Sequence, residues 1–166
     1  LEFATGLRLG ELTALQWEEL NLTTGELRIS KQAVVIGSEL VITEPKTKKS
    51  IRTIKMPNFL CEEIKEYLNM LYGIKPNDRM FVVTKSFLHH EMDRGSKAAG
   101  VKRIKIHGLR HSHISHLIDL GFSAVAIADR VGHESIDITY RYAHLFPSKQ
   151  VDMANKLDEE RGDLLG

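Results

Sequence analysis

An α+β fold, mainly helical and with one small antiparallel β-sheet, is the architecture these 166 residues lead us to expect. Apolar residues recur at helical spacing over most of the chain, the period of helices with one buried stripe. Between Gly25 and Met56 that period gives way to short alternating runs rich in β-branched residues, divided by turn residues. The length suits one domain and is enough to bury a core.

In LEFATGLRLGEL apolar residues reach the first position with no capping signal ahead, so we expect the end of a helix in a domain cut from a longer chain. Thr5-Gly6 breaks that helix, and another runs through Glu11, Leu12, Ala14 and Leu15. ELRIS, QAVVI, ELVIT and SIRTIKM read as strands, with turns at Thr24-Gly25, Gly37-Ser38 and Lys48-Lys49-Ser50. They are expected to form one sheet whose last hairpin carries a lysine cluster. Pro57 closes it. Residues 58–72 follow as a helix with Leu60, Ile64, Tyr67, Leu68 and Leu71 on one stripe. Residues 73–78 are a loop, MFVV is a short strand or buried run, and residues 94–99 make a short helix ended by Gly100. Three helices come next: 107–120, stopped by Gly121; 123–131, capped by Ser123 and stopped by Gly132; and 135–145, capped by Ser135. After Pro147 a last amphipathic helix over 148–161 is expected to turn Val151, Ala154 and Leu157 inward.

A 42% hydrophobic content is ordinary for a globular chain, and no apolar run approaches membrane-spanning length, so no membrane partner is expected. The single cysteine, Cys61, permits no internal disulfide and reads as a small core residue in a protein of a reducing interior. Net charge is only +1, but the positive charge is clustered. Lys46, Lys48, Lys49, Arg52 and Lys55 lie in KTKKSIRTIK, and Lys102, Arg103 and Lys105 in VKRIK, while LDEERGD near the end is mostly acidic. Such segregation fits a polyanion-facing surface. Solvated lysines on a hairpin fit it too.

The stretch from His107 to His144 concentrates the chemistry. His107 and Arg110, at i and i+3, share a helix face, where a guanidinium fork and an imidazole make a socket for a phosphate. A helix-start histidine and a surface arginine would look the same. His111, His113 and His116 crowd the neighbourhood, and His107 with His111 raises a metal site as a rival. The H-E-x-x-H pattern is absent, however, so we expect no metal. His133 follows Gly132 at a join between helices, where a side chain reaches a ligand beside exposed amides. Tyr142 lies well along the next helix, and Tyr140 points to a different side; singly, each also reads as a packing aromatic.

Taken together and in order, TGLRLGEL, PKTKKSIRTI, HGLRH, VGHES and TYRYAHL resemble the catalytic domain of the tyrosine recombinases, the phage-integrase family. The resemblance runs from about Thr5 to Leu145 and looks nearest to integrases of phages and conjugative transposons of low-GC Gram-positive bacteria. It implies the tyrosine-recombinase catalytic fold, with residues 1–166 a single catalytic domain, the N-terminal core-binding domain absent, and 146–166 a C-terminal tail that packs on a neighbouring protomer or folds back. It also implies roles. Arg8 and Arg110 would clamp the scissile phosphate, Glu11 would orient Arg8, and His133 would add a hydrogen bond. Lys46 on its hairpin would protonate the leaving 5′ oxygen, His107 would accept the tyrosine proton or position it, and Tyr142 would attack once cationic neighbours favour the phenolate. A register nine residues after the G-H motif separates Tyr142 from Tyr140.

The implied activity is metal-independent breaking and rejoining of double-stranded DNA at attachment sites, through a 3′-phosphotyrosyl link and with no cofactor. Implied partners are further copies of the protein, in a tetrameric synapse, and an excisionase or DNA-bending host protein, in the bacterial cytoplasm at the nucleoid. Two other classes remain at this point: a non-catalytic DNA-binding module of a mobile element, and a histidine-rich metalloprotein.

Overall fold

A computed structural model describes residues 1–37, 39–146 and 150–165. Two short helices, α1 (Glu2–Thr5) and α2 (Leu9–Ala14), lead into five strands: β1 (Leu20–Asn21), β2 (Glu26–Ile29), β3 (Gln32–Ile36), β4 (Glu39–Thr43) and β5 (Arg52–Lys55). Helices then take over: α3 (Asn58–Asn69), α4 (Lys85–Ala98), α5 (Ile106–Asp119), α6 (Ala124–Val131), α7 (Ile136–Tyr140) and α8 (Gln150–Leu165). The mainly helical α+β expectation holds. Among the described residues no helix is long and apolar enough to cross a membrane.

The strands form two sheets, not one. β1, β2 and β5 pair antiparallel, with Leu27 opposite Ile54, and β3 and β4 make a separate hairpin with Val34 opposite Val41. Burial explains the split. Leu27, Ile29, Ile54 and Met56 enter a core with Leu7, Leu12, Leu15, Leu60, Cys61, Ile64 and Met80, whereas Val35 and Ile36 stay exposed. The lysine cluster therefore lies on a connection between two sheets, with a 3₁₀ turn at Lys48–Ser50, and not on the expected hairpin. A second core joins Ile114, Ile118, Ile127 and Val131, with Leu117, Tyr142 and Phe146 against it.

Elsewhere the structure moves several boundaries. α3 ends at Asn69, leaving Leu71 and Tyr72 exposed. MFVV is not a strand, although Met80 N donates to the Leu15 carbonyl at 2.8 Å and its side chain is buried. The helix before Gly100 starts at Lys85 instead of Arg94, because Thr84 caps it by accepting from Phe87 N. Ser123 and Ser135 cap α6 and α7 as expected. α7, however, stops at Tyr140, and Tyr142 stands at the start of a 3₁₀ turn, Ala143–Leu145. The last helix holds Val151 71% and Leu157 66% exposed, so the apolar residues expected to face inward face out. The expected break at Pro147 and the expected helix start at Ser148 lie outside the described residues.

Candidate active site

α6 ends with three successive carbonyls, and the fold gives each an arginine. Arg52 Nε donates to the Arg130 carbonyl at 2.8 Å, Arg110 Nη2 to Val131 at 2.8 Å and Arg8 Nη2 to Gly132 at 2.7 Å. A helix C-terminus leaves its last carbonyls without intrahelical partners and carries partial negative charge, so guanidinium groups are the natural caps. Gly132 allows this arrangement. It takes φ 67°, and a Cβ there would stand 2.7 Å from Arg52 Nη1. Gly6, at φ 70°, offers its carbonyl to Arg110 Nη1, and a Cβ on it would run into the ring of buried His113.

Glu11 ties the arginines together. Its carboxylate accepts from Arg8 N at 2.9 Å and Arg8 Nη1 at 2.8 Å, and from Arg52 Nη1 and Nη2 at 3.1 and 3.0 Å. Burial alone would raise its pKa, but the hydrogen bonds and charge of Arg52, then Arg8, carry it below the ordinary carboxylate value. The sequence reading paired Glu11 with Arg8 and placed Arg52 on a polyanion-facing surface. The structure instead buries Arg52, its side chain 7% exposed, with Ser50 O, Arg130 O and Glu11 as partners. It is turned inward and does not present itself to a ligand.

Beside this knot opens a cleft of about 520 Å³. Arg8, His107, Arg110, His133 and Tyr142 all line it, as do His111 and Arg141, so residues from distant parts of the sequence converge on one space. Arg110 is 3% exposed and uses two of the five guanidinium N–H groups on carbonyls, leaving donors for an anion. Burial, with Arg8 nearby, lowers its pKa to about 10, so it is still cationic at neutral pH. His133 Nδ1 shares a 2.7 Å hydrogen bond with Thr139 Oγ1. Burial, then the charges of Arg110 and Arg8, hold its pKa at about 4, so it is a neutral imidazole at pH 7. His107 is likewise lowered, by burial and then His111 and the two arginines. Arg8, 36% exposed, is more open to the cleft than Arg110.

Tyr142 rests as a phenol. Burial raises the phenol's pKa despite the opposing charges of Arg110 and Arg141, so the resting tyrosine is protonated and not a phenolate. Its hydroxyl is hydrogen-bonded to His111 Nδ1. Sequence reasoning had noted His111 only as a metal rival; the signal available, its place one turn beyond His107, could not reveal a contact made across to another element. Tyr140 is exposed and does not line the cleft.

Lys46, Lys48 and Lys49 are exposed on the connection between β4 and β5, and none lines the cleft. Lys49 Nζ does reach the Glu134 carbonyl at 3.0 Å, which ties that connection to the turn bearing His133. Lys102 and Lys105 are exposed before α5, while Arg103 pairs with Asp93. His113 is buried, its pKa near 4, and accepts from Arg130 Nε at 3.2 Å; His116 stacks on Phe3. Among the described residues no three His, Cys, Asp or Glu side chains gather as metal ligands would.

Residues 1–149 match the phage integrase family. The chain is 33% identical to the ICEBs1 integrase of Bacillus subtilis strain 168 over 171 residues, covering 95% of this chain and 46% of that protein. It is 32% identical to the tyrosine recombinase XerD of Staphylococcus aureus strain Mu50 over 160 residues, covering 94% and 52%. The fold superposes on the Tn1549 transposon integrase, solved in complex with circular intermediate DNA, with a TM-score of 0.71 at 21% identity, over 96% of this chain and 57% of that one. The chain thus spans about half the length of the curated relatives it matches. With the convergent cleft and the order of its residues, these likenesses lead to one conclusion: the chain belongs to the phage integrase family.

Proposed function

We propose that this chain is the catalytic part of a site-specific DNA recombinase that cleaves and rejoins strands through Tyr142. The observation that carries the reading is the cleft in which Tyr142 meets Arg8, Arg110 and His133. Two guanidinium groups fixed on the end of α6 hold the non-bridging oxygens of a phosphodiester and stabilise the charge that grows in the transition state. Neutral His133 donates a ring N–H to the same phosphate while Thr139 Oγ1 holds its other nitrogen. Neutral His107 positions it from α5. Tyr142 Oη attacks phosphorus, the bond to the 5′ oxygen breaks, and a 3′-phosphotyrosyl link retains the bond energy for rejoining to another strand. Lys46 protonates the leaving oxygen when the connection that bears it closes on bound DNA. Such an acid is worth roughly 10²–10⁴ in rate.

The partner is double-stranded DNA carrying attachment sites, met by Lys48, Lys49, Lys102 and Lys105 around the cleft. The activity needs no metal, since the arginines supply the positive charge. Residues 1–166 act as a single catalytic domain whose 146–166 segment, with the exposed Val151 and Leu157 of α8, serves as a tail that packs on a neighbouring protomer in a tetrameric synapse. An excisionase or DNA-bending host protein would set direction, in the bacterial cytoplasm at the nucleoid.

Tyr142→Phe is expected to abolish covalent trapping on nicked suicide DNA, measured as loss of the protein–DNA adduct on a denaturing gel. If Tyr140→Phe abolishes it while Tyr142→Phe does not, the nucleophile lies elsewhere.

A further inference from the structure

His111 is a cleft residue to which the reading above gives no task. It follows Arg110 on α5, and its Nδ1 is hydrogen-bonded to the hydroxyl of Tyr142, with the two ring centroids 5.8 Å apart. Among the described residues that is the one side-chain hydrogen bond the phenol makes. His107 does not approach the phenol in this way. It meets His111 edge-on, centroids 4.7 Å apart and planes at 80°. A phenol that rests protonated must lose its proton as its oxygen bonds to phosphorus, and the acceptor must be within hydrogen-bond reach of that oxygen.

We propose that His111 Nδ1 is the group that takes the Tyr142 proton, which makes His111 a further catalytic residue of the strand cleavage proposed above, on which this inference rests. In the step the Tyr142 Oη–P bond forms and the P–O5′ bond breaks. The phenol proton passes to Nδ1 of His111, whose own ring proton sits on Nε2, and the 5′ oxygen receives a proton from the general acid. In rejoining, the 5′ oxygen attacks phosphorus as the general acid takes back its proton, the Tyr142 Oη–P bond breaks, and His111 returns the proton to the departing phenol. The titratable and charged groups around His111 are His107 and Arg110 on its own helix, Arg8 ahead of α2, His133 ahead of α7, and Arg141 and His144 beyond it. Of these, Arg8, Arg110 and Arg141 are the fixed cations.

The test uses the whole protein and a pool of nicked duplexes of randomised sequence, from which wild-type adducts are recovered and then used singly. His111→Gln, which keeps a polar side chain but cannot take the proton, is expected to slow adduct formation about 10²-fold or more. The fall in rate toward acid pH should disappear with it, and added imidazole should restore part of the rate to His111→Ala. The proposal is overturned if both variants trap DNA at the wild-type rate with an unchanged pH profile while Tyr142→Phe traps none. If Tyr142→Phe still traps, the function proposed above fails first. A second measurement does not depend on the His111 variants folding: long-range ¹H–¹⁵N spectra of the wild type should show His111 protonated on Nε2, with its signals shifted in Tyr142→Phe. A proton on Nδ1, or no shift, would overturn the assignment.

Discussion

Lys48 and Arg52 belong to one basic stretch, KTKKSIRTIK, yet the fold uses them in opposite ways. Arg52 points into the protein, where its fork caps α6 through the Arg130 carbonyl and grips both oxygens of Glu11. Lys48 stays in solvent on the connection outside the cleft. The first kind of cation sets the position of other groups, since Glu11 in turn holds Arg8 against the Gly132 carbonyl. The second kind is available to a polyanion. Charge counted along the sequence cannot tell them apart, because the distinction is made by which side chains a buried carboxylate and three free carbonyls can reach.

The contrast makes quantitative demands. Glu11→Ala would leave Arg52 buried beside Arg8 and Arg110 with no counter-charge, so urea denaturation should report a loss of about 3–5 kcal/mol. A loss below about 1 kcal/mol would mean that Arg52 is free to leave the interior. Arg52→Lys keeps the charge but not the planar fork, and cannot cap Arg130 O and bridge Glu11 at once. About 1–3 kcal/mol should go, with little change in the salt dependence of DNA binding.

The buried histidines add a pH term. His113 and His133 hold folded pKa values of about 4 against 6.5 in a free side chain, so the unfolded chain binds more protons between those limits. Their contribution is complete above pH 6.5 and is lost as pH falls toward 4. Glu2, raised to about 7 by burial, acts in the opposite sense, its contribution fading as pH rises from 4.5 to 7. Denaturation midpoints of His113→Gln and wild type, compared across that range, should therefore converge toward the acid end. Lys48→Ala should show the smallest effect on the fold, within about 0.5 kcal/mol. It should reduce the slope of log affinity for DNA against log salt by about one.

Much of the architecture could be read in advance because its signals are local. Ser123 and Ser135 as caps, Gly121 and Gly132 as stops, and the stripe of Leu60 and Ile64 depend on neighbours one turn away. The start of α4 was missed although Thr84 is itself a capping residue, because the helix it opens buries no residue and has only Phe87, Leu88 and Met92 as large apolar side chains. The two-sheet arrangement was missed because strand runs reveal their period but not their partners. The inward turn expected of Val151 and Leu157 failed for a related reason: an amphipathic pattern states which face is apolar, not what covers it.

In the cleft, the kinds of residue and their order along the chain were already written in the primary structure: two arginines, two histidines and a tyrosine at motif spacing. Folding alone settled which cation lines the cleft and which braces it from behind, whether the tyrosine rests as phenol or phenolate, and which histidine touches it. Those outcomes turn on burial and on contacts between segments far apart in sequence, where α6 ends among three arginines and Tyr142 meets α5. Desolvation and long-range hydrogen bonds have no counterpart in local spacing, so the amino-acid order names the participants and the packing assigns their work.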